Sequence, residues 1–233
     1  MNDIITEELK QQSKRMYESG LVIHDFGNLS IKSGNKIYIK ASGRPMSTIT
    51  NRDFVCVDLN SSVYKTDLKP SIDTPTHLKI YKSFKEIGGI VHTHSLNATS
   101  WAQSGKPIPC LGTTHSDYWN GDIPITRSLN NQEINGEYES EIGNVIVETI
   151  EELGIRPLFC PGLLVQNHGP FTWGKNITEA VKNAEILEYI AKMAYKTLAI
   201  NPNIKKLNKI LINKHFLRKN GDNAYYGQGE KNN

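Results

Sequence analysis

No stretch of this chain approaches the ~20 consecutive apolar residues that a membrane-spanning helix needs. Its beginning, Met1-Asn2-Asp3-Ile4-Ile5-Thr6-Glu7-Glu8, opens on acids where an export signal would place a basic segment and an apolar run. Cysteine is scarce: Cys56, Cys110 and Cys160 are the three among 233 residues, far apart and never in a Cys-x-x-Cys pair. That count and spacing argue against a disulfide framework and a thiolate zinc knot, and a reducing compartment, the cytoplasm, is expected. Charge of one sign is lacking too. The net charge is +3 with histidines neutral, Lys and Arg are dispersed, and only 205–219 is locally basic. Neither nucleic acid nor membrane is expected as a partner. Also absent are internal repeats, low-complexity segments and Gly-x-Gly-x-x-Gly, the phosphate-cradling turn of dinucleotide sites.

What is present is length enough for one domain with a substantial core, and a mixture of helical and strand-like patterns. Residues 6–19 favour helix and Gly20 stands where a helix should end. Residues 27–31 and 36–40 flank the turn Ser33-Gly34-Asn35 as a hairpin. Next comes Ala41-Ser42-Gly43-Arg44, with Lys40 beside it, which reads either as an anion-binding turn or as an ordinary glycine turn. After a short strand at 53–59, Pro70-Ser71-Ile72-Asp73-Thr74-Pro75 marks a helix start, with Thr74 as N-cap and Pro75 at the first helical position. Free amides there, with Ser71, suit a phosphate; Asp73 reads equally as a capping carboxylate or as an ionised group beside a metal.

Gly89-Ile90-Val91-His92-Thr93-His94-Ser95 reads as a buried strand ending in two histidines on one face, roughly 6–7 Å apart at the backbone. The pair is either two polar residues at a strand end or half of a metal site. Ser95 is expected to cap the next helix, which runs to Gly105 and places the histidines at a strand-to-helix junction, where α/β proteins gather ligands. Residues 112–119 carry hydroxyls, aromatics and Asp117 without a period, a loop whose polar groups transfer protons or bond one another. An amphipathic helix is expected at 138–153, stopped by Gly154. Residues 161–170 read as a buried strand terminating in His168, followed by a turn at Trp173-Gly174 and a long helix, 178–200, capped by Thr178. A final helix is expected at 207–219, and the aromatic tail, 223–229, is expected to dock on this subunit or on a neighbour. His92, His94 and His168 with a possible carboxylate suit zinc better than magnesium or calcium, and three imidazoles would leave one coordination position for substrate.

Taken together, Gly27-Asn28-Leu29-Ser30, Ser42-Gly43, Pro70-Ser71-Ile72-Asp73-Thr74, Gly88 to Ser95, Gly112-Thr113-Thr114-His115-Ser116-Asp117-Tyr118, Asn167-His168-Gly169-Pro170 and Ala224-Tyr225-Tyr226-Gly227-Gln228 closely resemble the class II aldolase/adducin family across almost the whole chain. Asp73, the 112–118 run and the ending from Lys214 onward resemble its ketopentose-phosphate 4-epimerase branch. The resemblance implies a single-domain, three-layer α/β/α fold around a mostly antiparallel sheet, spanning 1–233. It implies one zinc ion per subunit on Asp73, His92, His94 and His168, and a phosphate site from Asn28, Lys40, Ser42, Gly43, Ser71 and Ile72. It also implies a homotetramer with interfacial active sites, in which Asp117 and Tyr226 of an adjacent subunit transfer protons on opposite faces of a ketopentose phosphate.

The activity so implied is interconversion of L-ribulose 5-phosphate and D-xylulose 5-phosphate by cleavage and re-formation of the C3–C4 bond. An aldolase of the fuculose-phosphate type is the nearer alternative, and a non-catalytic adducin-like module the remoter one. Three positions depart from the family pattern: Ile72 where a second serine is usual, Ala41 for a proline, and Arg44 for an apolar residue.

Overall fold

The computed structural model describes residues 2–64, 66–221 and 224–225. Strands β1 (Asn28–Ser33), β2 (Lys36–Lys40), β3 (Phe54–Asp58), β4 (Gly89–His92), β5 (Gly162–Val165) and β6 (Gly169–Gly174) form one sheet in the order β3-β2-β1-β4-β6-β5. Every neighbouring pair is antiparallel. The helices are α1 (Asp3–Glu18), α2 (Thr74–Ser83), α3 (Leu96–Gln103), α4 (Thr113–Ser116), α5 (Asn131–Asn135), α6 (Tyr138–Leu153), α7 (Ile177–Ile200) and α8 (Lys209–Asn220).

Strand alternation creates the layers. Leu29, Tyr38, Phe54 and Val91 pack with Leu9 and Met16 of α1 and with Ile177 and Val181 of α7. Their chain neighbours Ile37, Ile39, Val55 and Ile90 point the other way, into a cluster with Leu78 and Tyr81 of α2 and Ile142 and Ile146 of α6. Each such buried side chain contributes about 1.5–3 kcal/mol, so the two clusters hold helices on both faces of the sheet. The result is the expected α/β/α arrangement around an antiparallel sheet. Among the described residues no helix is long and apolar enough to cross a membrane. Glycine at 89 is dictated by packing, because a Cβ there would lie 2.5 Å from backbone atoms of Ile177 where α7 begins.

Several boundaries differ from the sequence reading. Thr74 is the first residue of α2 and Asp73 its N-cap, with no side-chain cap bond. Ser95 occupies the N-cap of α3 but leaves the work to Glu188 of α7, whose carboxylate accepts Asn97 N–H and Ala98 N–H at 2.9 Å each. The cap of α7 is Asn176, accepting from Glu179 N–H, and not Thr178; that of α8 is Asn208. The larger correction lies at 161–174. Strand β5 ends at Val165, and Gly169-Pro170 opens a further strand where the sequence suggested a turn at Trp173-Gly174. Pro170 is tolerated there because it stands at the strand's second residue, where its carbonyl, accepting Thr93 N–H, is what the neighbouring chain needs.

Candidate metal centre

His92 closes β4, paired across the sheet with Asn28 of β1 and Phe171 of β6. His94 follows two residues on, just ahead of α3. His168 sits in the turn of the β5–β6 hairpin, reached through Asn167 in the left-handed region at φ 61°. The turn comes close: a Cβ on Gly169 would lie 2.7 Å from the Thr93 carbonyl, and one on Gly27 2.7 Å from that of His92. These two positions must be glycine for the three segments to meet.

They meet tip to tip. His92 Nε2 is 3.0 Å from His94 Nε2 and 3.1 Å from His168 Nε2. His92 Nδ1 lies 3.0 Å from the Pro170 carbonyl, which can only accept, so the ring proton sits on Nδ1 and the Nε2 lone pair faces the other two rings. Burial, reinforced by the two neighbouring imidazoles, pushes His92 well below the ordinary histidine value. Burial lowers His94 and His168 as well, with the Asp73 carboxylate opposing the shift in both. Neutral imidazoles are the form that ligates metal. Three lone pairs aimed at one point repel unless a cation stands between them. Nitrogens each about 2.0–2.1 Å from a tetrahedral ion would be separated by about 3.3–3.4 Å, little more than the spacing found here. The donor set therefore fits a divalent ion, and His94, exposed, leaves the centre open on one side.

Asp73 is not one of the converging groups. It is buried, and its Oδ2 accepts Asn28 Nδ2–H at 2.6 Å. Beneath the centre, His77 Nδ1 meets Ser30 Oγ at 2.7 Å, and Ser30 in turn meets Tyr81 Oη at 2.9 Å. Burial pushes His77 down to about 3 and His115 to about 4. Unfolded imidazoles take up protons near 6.5 while these native ones do not, so stability is complete above that value and declines as pH falls toward about 4 and 3. At pH 5 each is expected to cost about 2 kcal/mol. NMR titration of the two ring signals checks this; an inflection near 6.5 in the folded protein would contradict it.

The residues expected to hold phosphate come together as two paired segments. Ala41 bridges Pro70, Ser42 N–H donates to the Lys69 carbonyl at 3.0 Å, and Ser71 N–H donates to that of Lys40 at 2.9 Å. Ser42 and Gly43 are exposed and Ser71 is buried. Lys40 is buried as well, its pKa lowered by desolvation against the opposing pull of Asp25, Asp53 and Asp73. Ile72 is 68% exposed. Asn28 does not join them through a hydrogen bond; its amide is engaged with Asp73.

Asp117 lies elsewhere. The stretch expected to be a loop contains α4, and Asp117 is its C-cap. Its carboxylate accepts Arg218 Nε–H and Nη2–H at 3.1 and 3.0 Å and lies 3.2 Å from His215 Nδ1. The sequence reading marked 214–219 as distinctive but gave His215 and Arg218 no role; the signal was the basic run itself. Among the described residues, no hydrogen bond or ion pair joins Asp117 to the three imidazoles. Tyr226 falls outside the described residues.

Helices on both faces of an antiparallel sheet, with imidazoles gathered at the end of one strand and in the hairpin beside it, define a class of α/β protein whose histidine cluster could hold a metal ion. Within that class the chain belongs to the class II aldolase and adducin family: the sequence model of the Class II Aldolase and Adducin N-terminal domain matches residues 7–195. The structure is similar to that of an L-fuculose 1-phosphate aldolase, with a TM-score of 0.78 at 24% identity over 92% of this chain and 95% of that one. It is also similar to the L-fuculose-1-phosphate aldolase of Thermus thermophilus (TM-score 0.69, 18% identity, 88% and 100% covered). A sugar-phosphate aldolase from Thermotoga maritima matches with a TM-score of 0.65 at 19% identity, over 86% of this chain and 97% of that one.

Proposed function

We propose that the chain interconverts L-ribulose 5-phosphate and D-xylulose 5-phosphate as a cytoplasmic homotetramer with one zinc ion per subunit. The observation that carries this reading is the convergence of His92, His94 and His168, with two paired loops that bring together the exposed Ser42-Gly43 turn, Ser71 and a buried lysine. C4 of a 2-ketopentose is not adjacent to the carbonyl, so its hydrogen is not acidic and inversion requires the C3–C4 bond to break. His92, His94 and His168 would hold the metal, with Asp73 as a fourth ligand or as the nearby carboxylate that Asn28 orients. When bound, the ion supplies Lewis acidity for the charge left on the ketone-derived fragment.

The chain's own groups do the rest. One of Asp117 and Tyr226 takes the C4 hydroxyl proton as the bond breaks, and the electron pair of the bond stays with the three-carbon fragment. Rotation of the aldehyde presents its other face, and bond re-formation is completed by proton donation from the second group. The segments 40–43 and 71–72 hold the phosphate so that the aldehyde turns without leaving. Asp117 supports this reading because the 112–118 run and the 214–219 ending, the two stretches most like the epimerase branch, fold onto each other around its carboxylate.

Incubation with either ketopentose phosphate is the test: interconversion without net cleavage supports the epimerase. Accumulation of free glycolaldehyde phosphate would establish an aldolase instead, the reading favoured by the likeness to fuculose-phosphate aldolases. A metal-free, inactive protein would leave the adducin-like alternative.

The separation of Asp117 from the imidazoles is accommodated if a neighbouring copy supplies it. Mixing subunits carrying Asp117→Asn with subunits carrying His94→Ala is then expected to restore about a quarter of wild-type activity, since one interface combination in four is intact. No recovery in mixed oligomers would place each active site within a single chain.

A further inference from the structure

Arg44 lies on the exposed turn after β2, and its side chain forms an ion pair there. Its Nε is 3.3 Å from Asp53 Oδ1, while the other carboxylate oxygen of Asp53 accepts Thr50 N–H and Oγ1–H at 2.8 and 2.7 Å. Asp53 is tied to the same turn through its carbonyl, which accepts Ala41 N–H at 2.9 Å. The guanidinium is thus ion-paired beside 41–43, and among the described residues no hydrogen bond engages its N–H groups.

Buried positive charge is scarce here. Lys40, the buried cation here, stands in the field of Asp25, Asp53 and Asp73, and Ile72 brings no side-chain donor. A phosphate monoester carries close to two negative charges at neutral pH, more than one ammonium amid three carboxylates balances. A guanidinium whose N–H groups make no protein hydrogen bond can offer them as a planar fork to phosphate oxygens.

We propose that Arg44 is a phosphate-binding residue, its guanidinium closing on the substrate phosphate seated against the Gly43 and Ile72 amides. The proposal rests on the sugar-phosphate reading above. Inhibition of the metal-loaded enzyme by inorganic phosphate, together with steady-state kinetics, tests it. Arg44→Ala is expected to raise the phosphate inhibition constant and the KM for ketopentose phosphate by about tenfold or more, with kcat changed by less than about twofold. Arg44→Lys should recover only part, lacking the fork.

As an exposed residue, Arg44 should be replaceable without loss of fold, which a melting curve verifies. An unchanged phosphate inhibition constant in Arg44→Ala, against a wild type that phosphate inhibits, would overturn the Arg44 assignment alone. An equal rise in KM for the unphosphorylated ketopentose would overturn it too, by showing a general structural effect. A wild type neither inhibited by phosphate nor active on ketopentose phosphate would take down the sugar-phosphate reading first, and Arg44 with it.

Discussion

His94→Ala is expected to lose bound metal and activity together, with kcat down by at least about a thousandfold and the fold intact. His94 is the exposed member of the cluster, so truncating it opens no cavity in the core. It removes one of three nitrogens converging on a single point, 3.0 Å from His92 Nε2. Two imidazoles hold a divalent ion far less well than three. Loss of Lewis-acid stabilisation worth several kcal/mol corresponds to the rate loss stated. Elemental analysis of the purified variant, an epimerisation assay and a melting curve are the three readouts. A variant that turns over normally without metal would overturn the ligand assignment. One that retains metal but not activity would move His94 from the metal to the substrate.

Tyr226→Phe is expected to behave in the opposite way, with metal content at the wild-type level and turnover lowered by about 10²–10⁴-fold, the usual worth of a positioned proton donor. The substitution removes one hydroxyl and keeps the ring. Asp117→Asn provides the companion measurement. If both groups act, one on each face of the substrate, each single variant is slow in both directions, because a proton must be taken on one face and delivered on the other. Near-normal epimerisation by Tyr226→Phe would remove the tyrosine from the mechanism and leave Asp117 to find another partner, with His215 the adjacent candidate at 3.2 Å.

Much of the architecture was legible in one dimension because it rests on local periodicity. The hairpin of β1 and β2, the span of α6 and its Gly154 stop, and the His92 strand all follow from alternation, 3.6-residue spacing and glycine placement, properties that each segment carries by itself. Three histidines at strand ends were legible too, as residue types suited to one ion. Capping was less so: Asn176 and Glu188 won over Thr178 and Ser95 because a helix start takes whichever oxygen packing brings within reach. Strand β6 was hidden for a related reason. Glycine and proline read as chain breakers, and only a neighbour that needs the Pro170 carbonyl makes a strand of them.

The residue types that could hold a metal were thus determined by sequence alone, as were those proposed for proton transfer. Tertiary structure decided that 76 positions of separation between His92 and His168 close to 3.1 Å, that Asp73 turns to Asn28, and that Asp117 is gripped by Arg218 and His215. Periodicity is a property of a segment, whereas convergence depends on sheet order and on which bare backbones can approach, and no single segment encodes that.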